Sequence, residues 1–130
     1  MVRHRIAVID DDTSVRNALR RLFRCADHDA KSHQSGREFL SDLEHRVPDC
    51  LVLDIHMPEM SGIELQKHLR AHGFDLPCVM ITGHDGEWSK EACLAAGASR
   101  YLRKPFDETI LLQAVDQAIA ASMNRKVTSL

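Results

Sequence analysis

One short stretch limits what this chain can fold into. Cys50-Leu51-Val52-Leu53-Asp54 is an apolar run closed by a carboxylate, with Pro58 and Gly62 soon after it. Such a run, with no polar alternation, reads as a strand buried on both faces, as in the middle of a parallel sheet. Pro58 and Gly62 then force a loop before a helix can begin. A lone Asp at the carboxyl end of a buried strand stands at the crevice where open α/β sheets bind ligands and do chemistry. Asp54 is thus a side chain held on a rigid strand and presented at the rim.

The rest of the chain repeats the pattern. Arg5-Ile6-Ala7-Val8-Ile9 is a strand ending in Asp10-Asp11-Asp12, and Thr13 and Ser14 open a helix. Val15, Leu19 and Leu22 form that helix's apolar stripe, flanked by Ala18 and Phe23, and Arg16, Arg20, Arg21 and Arg24 line its other side. The polar stretch around Ala30–His33 reads as an edge strand. Ser35–Glu38 and Ser61–Glu64 match capping boxes opening two further helices, the second stopping at Gly73. Pro77–Ile81 is a buried strand ending in Thr82-Gly83-His84, followed by a helix over about 87–96. Ser99–Leu102 is a last strand ending in Arg103-Lys104-Pro105, and a final helix runs through Leu111, Val115 and Ile119. Residues 1–121 read as one domain, and 122–130 as a polar tail or the start of a linker.

Five strands alternating with five helices predict a three-layer α/β sandwich around a five-stranded parallel sheet. Strand order 2-1-3-4-5 leaves the polar strand at an edge and sets a topological switch point beside Asp54. A 130-residue chain with 44% hydrophobic residues can build that core unaided. The net charge of −2 argues against nucleic-acid binding by this domain. No apolar run approaches the ~20 residues of a membrane span, and no signal peptide precedes the first strand. The four cysteines form no C-x-x-C pair and read as small core residues, which fits a reducing cytoplasm.

Four strands therefore end in functional side chains: Asp10 and Asp11, Asp54, Thr82, and Lys104. Neighbouring strands lie ~4.8 Å apart, so adjacent first and third strands bring the carboxylates together. Crowded carboxylates repel, so without a cation at least one pKa must rise. Lys104 offsets part of the charge, and hard oxygen ligands with room for water suit Mg²⁺. Such a site suits phosphoryl transfer, with Asp54 as the attacking nucleophile.

The acidic group after the first strand, Leu53-Asp54 with Met57-Pro58 and Ser61-Gly62, Thr82-Gly83, and Lys104-Pro105-Phe106 together resemble the response-regulator receiver domain, over about residues 5–120. Thr82-Gly83-His84 and Lys104-Pro105-Phe106-Asp107 are most similar to FixJ-type receivers. Those commonly precede a LuxR-type helix-turn-helix domain, which implies transcription regulation as the output; none is visible in this sequence. The resemblance implies a flavodoxin-like receiver fold, with Asp54 as phosphoacceptor. Mg²⁺ would be held by Asp11, Asp54 and the backbone carbonyl of His56, and by Asp10 through water. Thr82 and Lys104 would contact the phosphoryl group, Tyr101 would be the aromatic switch, and the Lys104–Pro105 peptide would be cis. His56 and His84 occupy positions that tune phosphorylation and dephosphorylation rates. The implied partners are a sensor histidine kinase or phosphotransfer protein, and a homodimer through the face of the fourth helix, fifth strand and fifth helix. Such a protein is a signalling switch that catalyses only its own phosphorylation and hydrolysis.

Plainer readings stand beside these. Asp12 reads as a helix cap rather than a ligand. Tyr101 is core filler or switch; the arginine stripe is a solvated face or a docking surface for the phosphodonor. His68 and His72 have zinc-pair spacing, but with no third ligand in view a solvated face is preferred. Trp88 either marks a partner surface or covers its loop. Two rival functions share the pocket: an aspartate-nucleophile phosphatase using Asp10, and an adaptor that keeps the fold without phosphorylation.

Overall fold

A computed structural model describes residues 3–83 and 90–128, with side chains through residue 124. The elements run β1 (Arg5–Ile9), α1 (Thr13–Cys25), β2 (Asp29–His33), α2 (Gly36–Leu43), β3 (Cys50–Asp54), α3 (Gly62–Ala71), β4 (Cys78–Thr82), α4 (Lys90–Ala95), β5 (Arg100–Arg103) and α5 (Glu108–Thr128). All strand pairs are parallel, in the order β2-β1-β3-β4-β5. The expected three-layer fold and the polar edge strand are therefore both present.

The pleat explains why the apolar runs do not alternate. Successive side chains point to opposite faces, and both faces are covered. Ala7, Ile9, Leu51, Leu53 and Met80 pack with Phe39, Leu65, Leu69 and Cys93 on the α2–α3–α4 side. Ile6, Val8, Val52, Val79 and Ile81 pack with Leu19, Phe23, Leu111, Val115 and Ile119 on the α1–α5 side. Every residue of β3 and β4 is buried. Truncating a central one such as Leu53 to Ala should cost about 2–5 kcal/mol.

The helix ends obey their local signals. Asp12 caps α1, its side chain accepting from the N–H groups of Ser14 and Val15. Ser61 and Glu64 form a complete capping box on α3, and Gly73, at φ +85°, lies just past its end. Ser35 caps α2 by accepting from the Glu38 N–H.

Four details depart from expectation. The buried line of α1 is centred on Leu19 and Phe23, with Val15 and Leu22 half-buried and Ala18 exposed. Cys25 is exposed at the end of α1 and is no core residue, because the buried stripe passes through Phe23. β5 is Arg100–Arg103, one residue later than predicted. The last helix continues to Thr128 through the segment read as a polar tail, since no Gly or Pro follows Pro105 to stop it. His84 and Trp88 lie outside the described residues. Among the described residues, no helix is long and apolar enough to cross a membrane.

Candidate functional site

The site follows from register. Ile9 pairs with Leu53, so the next residues, Asp10 and Asp54, come level at the carboxyl edge of adjacent strands. Both share the pleat parity of Val8 and Val52 and so belong to the α1–α5 face. Asp10 and Asp54 are buried, at 1% and 5% exposure, whereas Asp11 is exposed. Carboxylate oxygens of Asp10, Asp11 and Asp54 all lie within 4.8 Å of one another. Asp12 is occupied as the α1 cap.

Lys104, two strands away from Asp54 and three from Asp10, reaches the site with its Nζ 3.3 Å from Asp10 Oδ2. The amine thus pairs with Asp10, and acts on Asp54 only through space. The Lys104–Pro105 peptide is cis. Thr82, 1% exposed, ends β4, and its carbonyl accepts the Lys104 N–H at 2.7 Å. Thr82 shares the parity of Met80, which packs on the α4 side and pairs with Tyr101 in register. Half-buried Tyr101 packs against that same α4-side core. Half-buried His56 donates its N–H to Asp54 Oδ1 at 3.3 Å. Gly62 closes the loop over this strand end. A Cβ there would stand 2.5 Å from the Asp54 carbonyl oxygen, so only glycine lets α3 begin where it does.

The electrostatics are those of an under-neutralised pocket. Burial, then the Asp10 charge, pushes the Asp54 carboxyl up to about 7, against opposition from Lys104 and the His56 N–H. Asp10 is also raised, by burial, despite the Asp12 N–H and Lys104. Three hard oxygen donors, one of them open to solvent, fit a small divalent cation that keeps some of its waters. That cation would remove the penalty both buried carboxylates carry.

The sequence profile of the family described as "Response regulator receiver domain" matches residues 6–116. The chain belongs to that family. Receiver domains act as signalling switches in two-component systems, and they generally bind Mg²⁺. This receiver domain is 42% identical over 102 residues to response regulator MprA of Mycolicibacterium vanbaalenii, covering 78% of the chain and 44% of that protein. It is 36% identical to response regulator protein TmoT of Ectopseudomonas mendocina, covering 93% of the chain and 55% of that protein. The chain thus spans about half the length of these curated relatives. The solved structure of FixJ-N superposes with a TM-score of 0.85 at 31% identity, covering 92% of this chain and 96% of that one. Response regulator StyR gives 0.82 at 41%, covering 96% and 63%.

Two neighbours of the receiver site escaped the sequence reading. Arg16, grouped with the basic stripe of α1, turns back so that Nη1 donates to the Asp10 carbonyl at 2.7 Å and Nη2 to Thr13 Oγ1 at 2.9 Å. Its position four residues after Asp12 was the available signal. His33, on the polar edge strand, is buried; its carbonyl accepts the Asp10 N–H and its Nε2 lies 3.1 Å from Asp42 Oδ2. A histidine facing the core from an edge strand leaves no local signal.

Proposed function

We propose that this receiver domain is a Mg²⁺-dependent phosphoacceptor that takes a phosphoryl group on Asp54 from a histidine-bearing phosphodonor, a sensor histidine kinase or phosphotransfer protein. The observation that carries the reading is the pairing of level, buried Asp10 and Asp54 with a single lysine held on Asp10 rather than on the nucleophile. An Asp54 oxygen attacks phosphorus as the bond from phosphorus to the donor imidazole breaks. The released imidazole nitrogen takes its proton from solvent, and water later hydrolyses the acyl phosphate.

Asp11, Asp54 and the His56 carbonyl, with Asp10 through water, would hold Mg²⁺, which when bound screens the incoming phosphoryl oxygens. Lys104 and the Thr82 hydroxyl supply further donors where charge develops. The pleat supports a route for the signal. Asp54 has the parity of the α1–α5 face and Thr82 and Tyr101 that of the α4 face, so a shift of Thr82 toward the phosphate carries the event across the sheet. The output would be homodimerisation or partner binding at the α4-β5-α5 face, in the cytoplasm, with regulation of transcription through a further domain as the end point. A groove of about 320 Å³ formed by Val15, Ala18 and Leu22 of α1 with Pro105 and Phe106 supports docking of the phosphodonor beside Lys104. His56 and His84 would tune the rates, and residues 1–121 would form the switch.

Incubation with a small acyl phosphate and Mg²⁺, followed by mapping of the modified residue by mass spectrometry, tests the reading. Modification of Asp54, lost in Asp54→Asn, is expected. Modification of Asp10 would favour the phosphatase, and failure to bind Mg²⁺ would favour the adaptor.

A further inference from the structure

Away from the acidic rim, His68 and His72 stand four residues apart at the end of α3, both exposed. Their imidazoles stack, with centroids 4.2 Å apart and planes 29° apart. His72 Nδ1 lies 2.9 Å from the His68 carbonyl oxygen. A carbonyl only accepts, so this bond puts the proton on Nδ1 and leaves Nε2 of the neutral ring with its lone pair. Metal-binding histidines share this arrangement, one ring nitrogen donating to a carbonyl and the other ligating. A carboxylate from another helix stands near the pair. Glu44, at the carboxyl end of α2, lines the same groove of about 250 Å³ as both histidines, over Leu40, Leu43, Leu69 and Phe74.

We propose that His68, His72 and Glu44 form a site for a borderline divalent transition metal such as Zn²⁺, distinct from the acidic rim. Two imidazoles and one carboxylate, with a water in the fourth position, are an established zinc donor set. Imidazole also selects against Mg²⁺, which prefers oxygen. Among the described residues only Asp10, Asp11 and Asp54 already have three such ligand atoms within 4.8 Å, so the site is not preformed and metal binding requires the Glu44 carboxylate to move onto the ion. The bound metal clips the end of α2 to the end of α3. The competing role for His72 is that of a helix cap favoured by the dipole, which needs neither Glu44 nor a metal.

The test is calorimetric titration of Zn²⁺ into the tag-free full chain in excess Mg²⁺, with the histidine ring signals followed by NMR. One Zn²⁺ per chain is expected, shifting the signals of His68 and His72. His68→Gln, His72→Gln and Glu44→Gln should each weaken binding at least about tenfold, whereas Cys25→Ser should not. Thermal unfolding in chelator verifies that each variant folds, with His68→Asn and His72→Asn as replacements for one that does not. Absence of binding, binding indifferent to either histidine, or binding lost only in Cys25→Ser would overturn the site. Affinity unchanged in Glu44→Gln would overturn the three-ligand assignment.

Discussion

The two ends of the sheet surround their carboxylates differently, half-buried or exposed at one end and partly buried in a cluster at the other. At the amino end, acids face donors: Asp29 bonds Arg46, Asp49 accepts the Arg5 N–H at 2.8 Å and lies 3.7 Å from His4, and Asp116 lies 4.0 Å from His28. Asp29 is accordingly held below the usual carboxylate range by its Arg46 hydrogen bond. At the carboxyl end three carboxylates converge on one another with one lysine bonded to Asp10, and the two buried ones are raised, Asp54 to about 7. The amino-end carboxylates are half-buried or exposed and each has a donor beside it, whereas the buried charge at the rim is left short of a cation. That shortfall is what the proposed divalent ion would relieve.

The contrast can be broken most readily at Lys104. Lys104→Met should slow phosphorylation of Asp54 by about 10²-fold, followed as labelled phosphoryl incorporation, because a preorganised donor is lost from a partly water-excluded site. A rate within a few-fold of the parent would mean that the lysine only balances Asp10.

The next effect concerns stability. Burial raises the folded-state pKa of Asp54 above its unfolded value, so its ionised form opposes folding. The penalty begins as pH rises above about 4 and is complete above about 7. Asp54→Asn should therefore stabilise the metal-free protein by about 2–4 kcal/mol at pH 8 and by almost nothing at pH 4, in urea unfolding with chelator. Adding Mg²⁺ should stabilise the parent and narrow the gap. A destabilised Asp54→Asn variant at pH 8 would erase the distinction between the two ends.

The smallest effect has the opposite sign. Asp29 has a lowered folded-state pKa, so its contribution is present above the unfolded value and is lost as pH falls through the folded one. Asp29→Asn should cost no more than about 0.5 kcal/mol at pH 7, because the pair is partly exposed and screened, and progressively less as pH falls below the unfolded value of about 4. The same urea series measures it, and a cost above about 2 kcal/mol would show that the amino end also carries charge under strain.

Much of this arrangement was legible because its signals are local. The runs of β1, β3 and β4, the Ser61 capping box, the Asp12 cap and the stop at Gly73 each depend on a few neighbouring residues. Asp10, Asp54, Thr82 and Lys104 were legible because each follows directly from the end of a strand. Where the reading failed, the cause was partners remote in the chain. Arg16 resembled a member of a solvated stripe until the end of β1 supplied a carbonyl, and His33 had no visible partner until Asp42 of α2 lay beside it.

The sequence by itself determined the kinds and order of the elements and which side chains stand at their ends, because periodicity, capping and punctuation act within one or two turns of chain. The tertiary structure decided that Asp10 rather than Asp54 takes the lysine, that His33 is buried against α2, and that Glu44 shares a groove with His68 and His72. Those outcomes depend on strand register and helix docking, which are set by the packing of two cores at once and are written in no single segment.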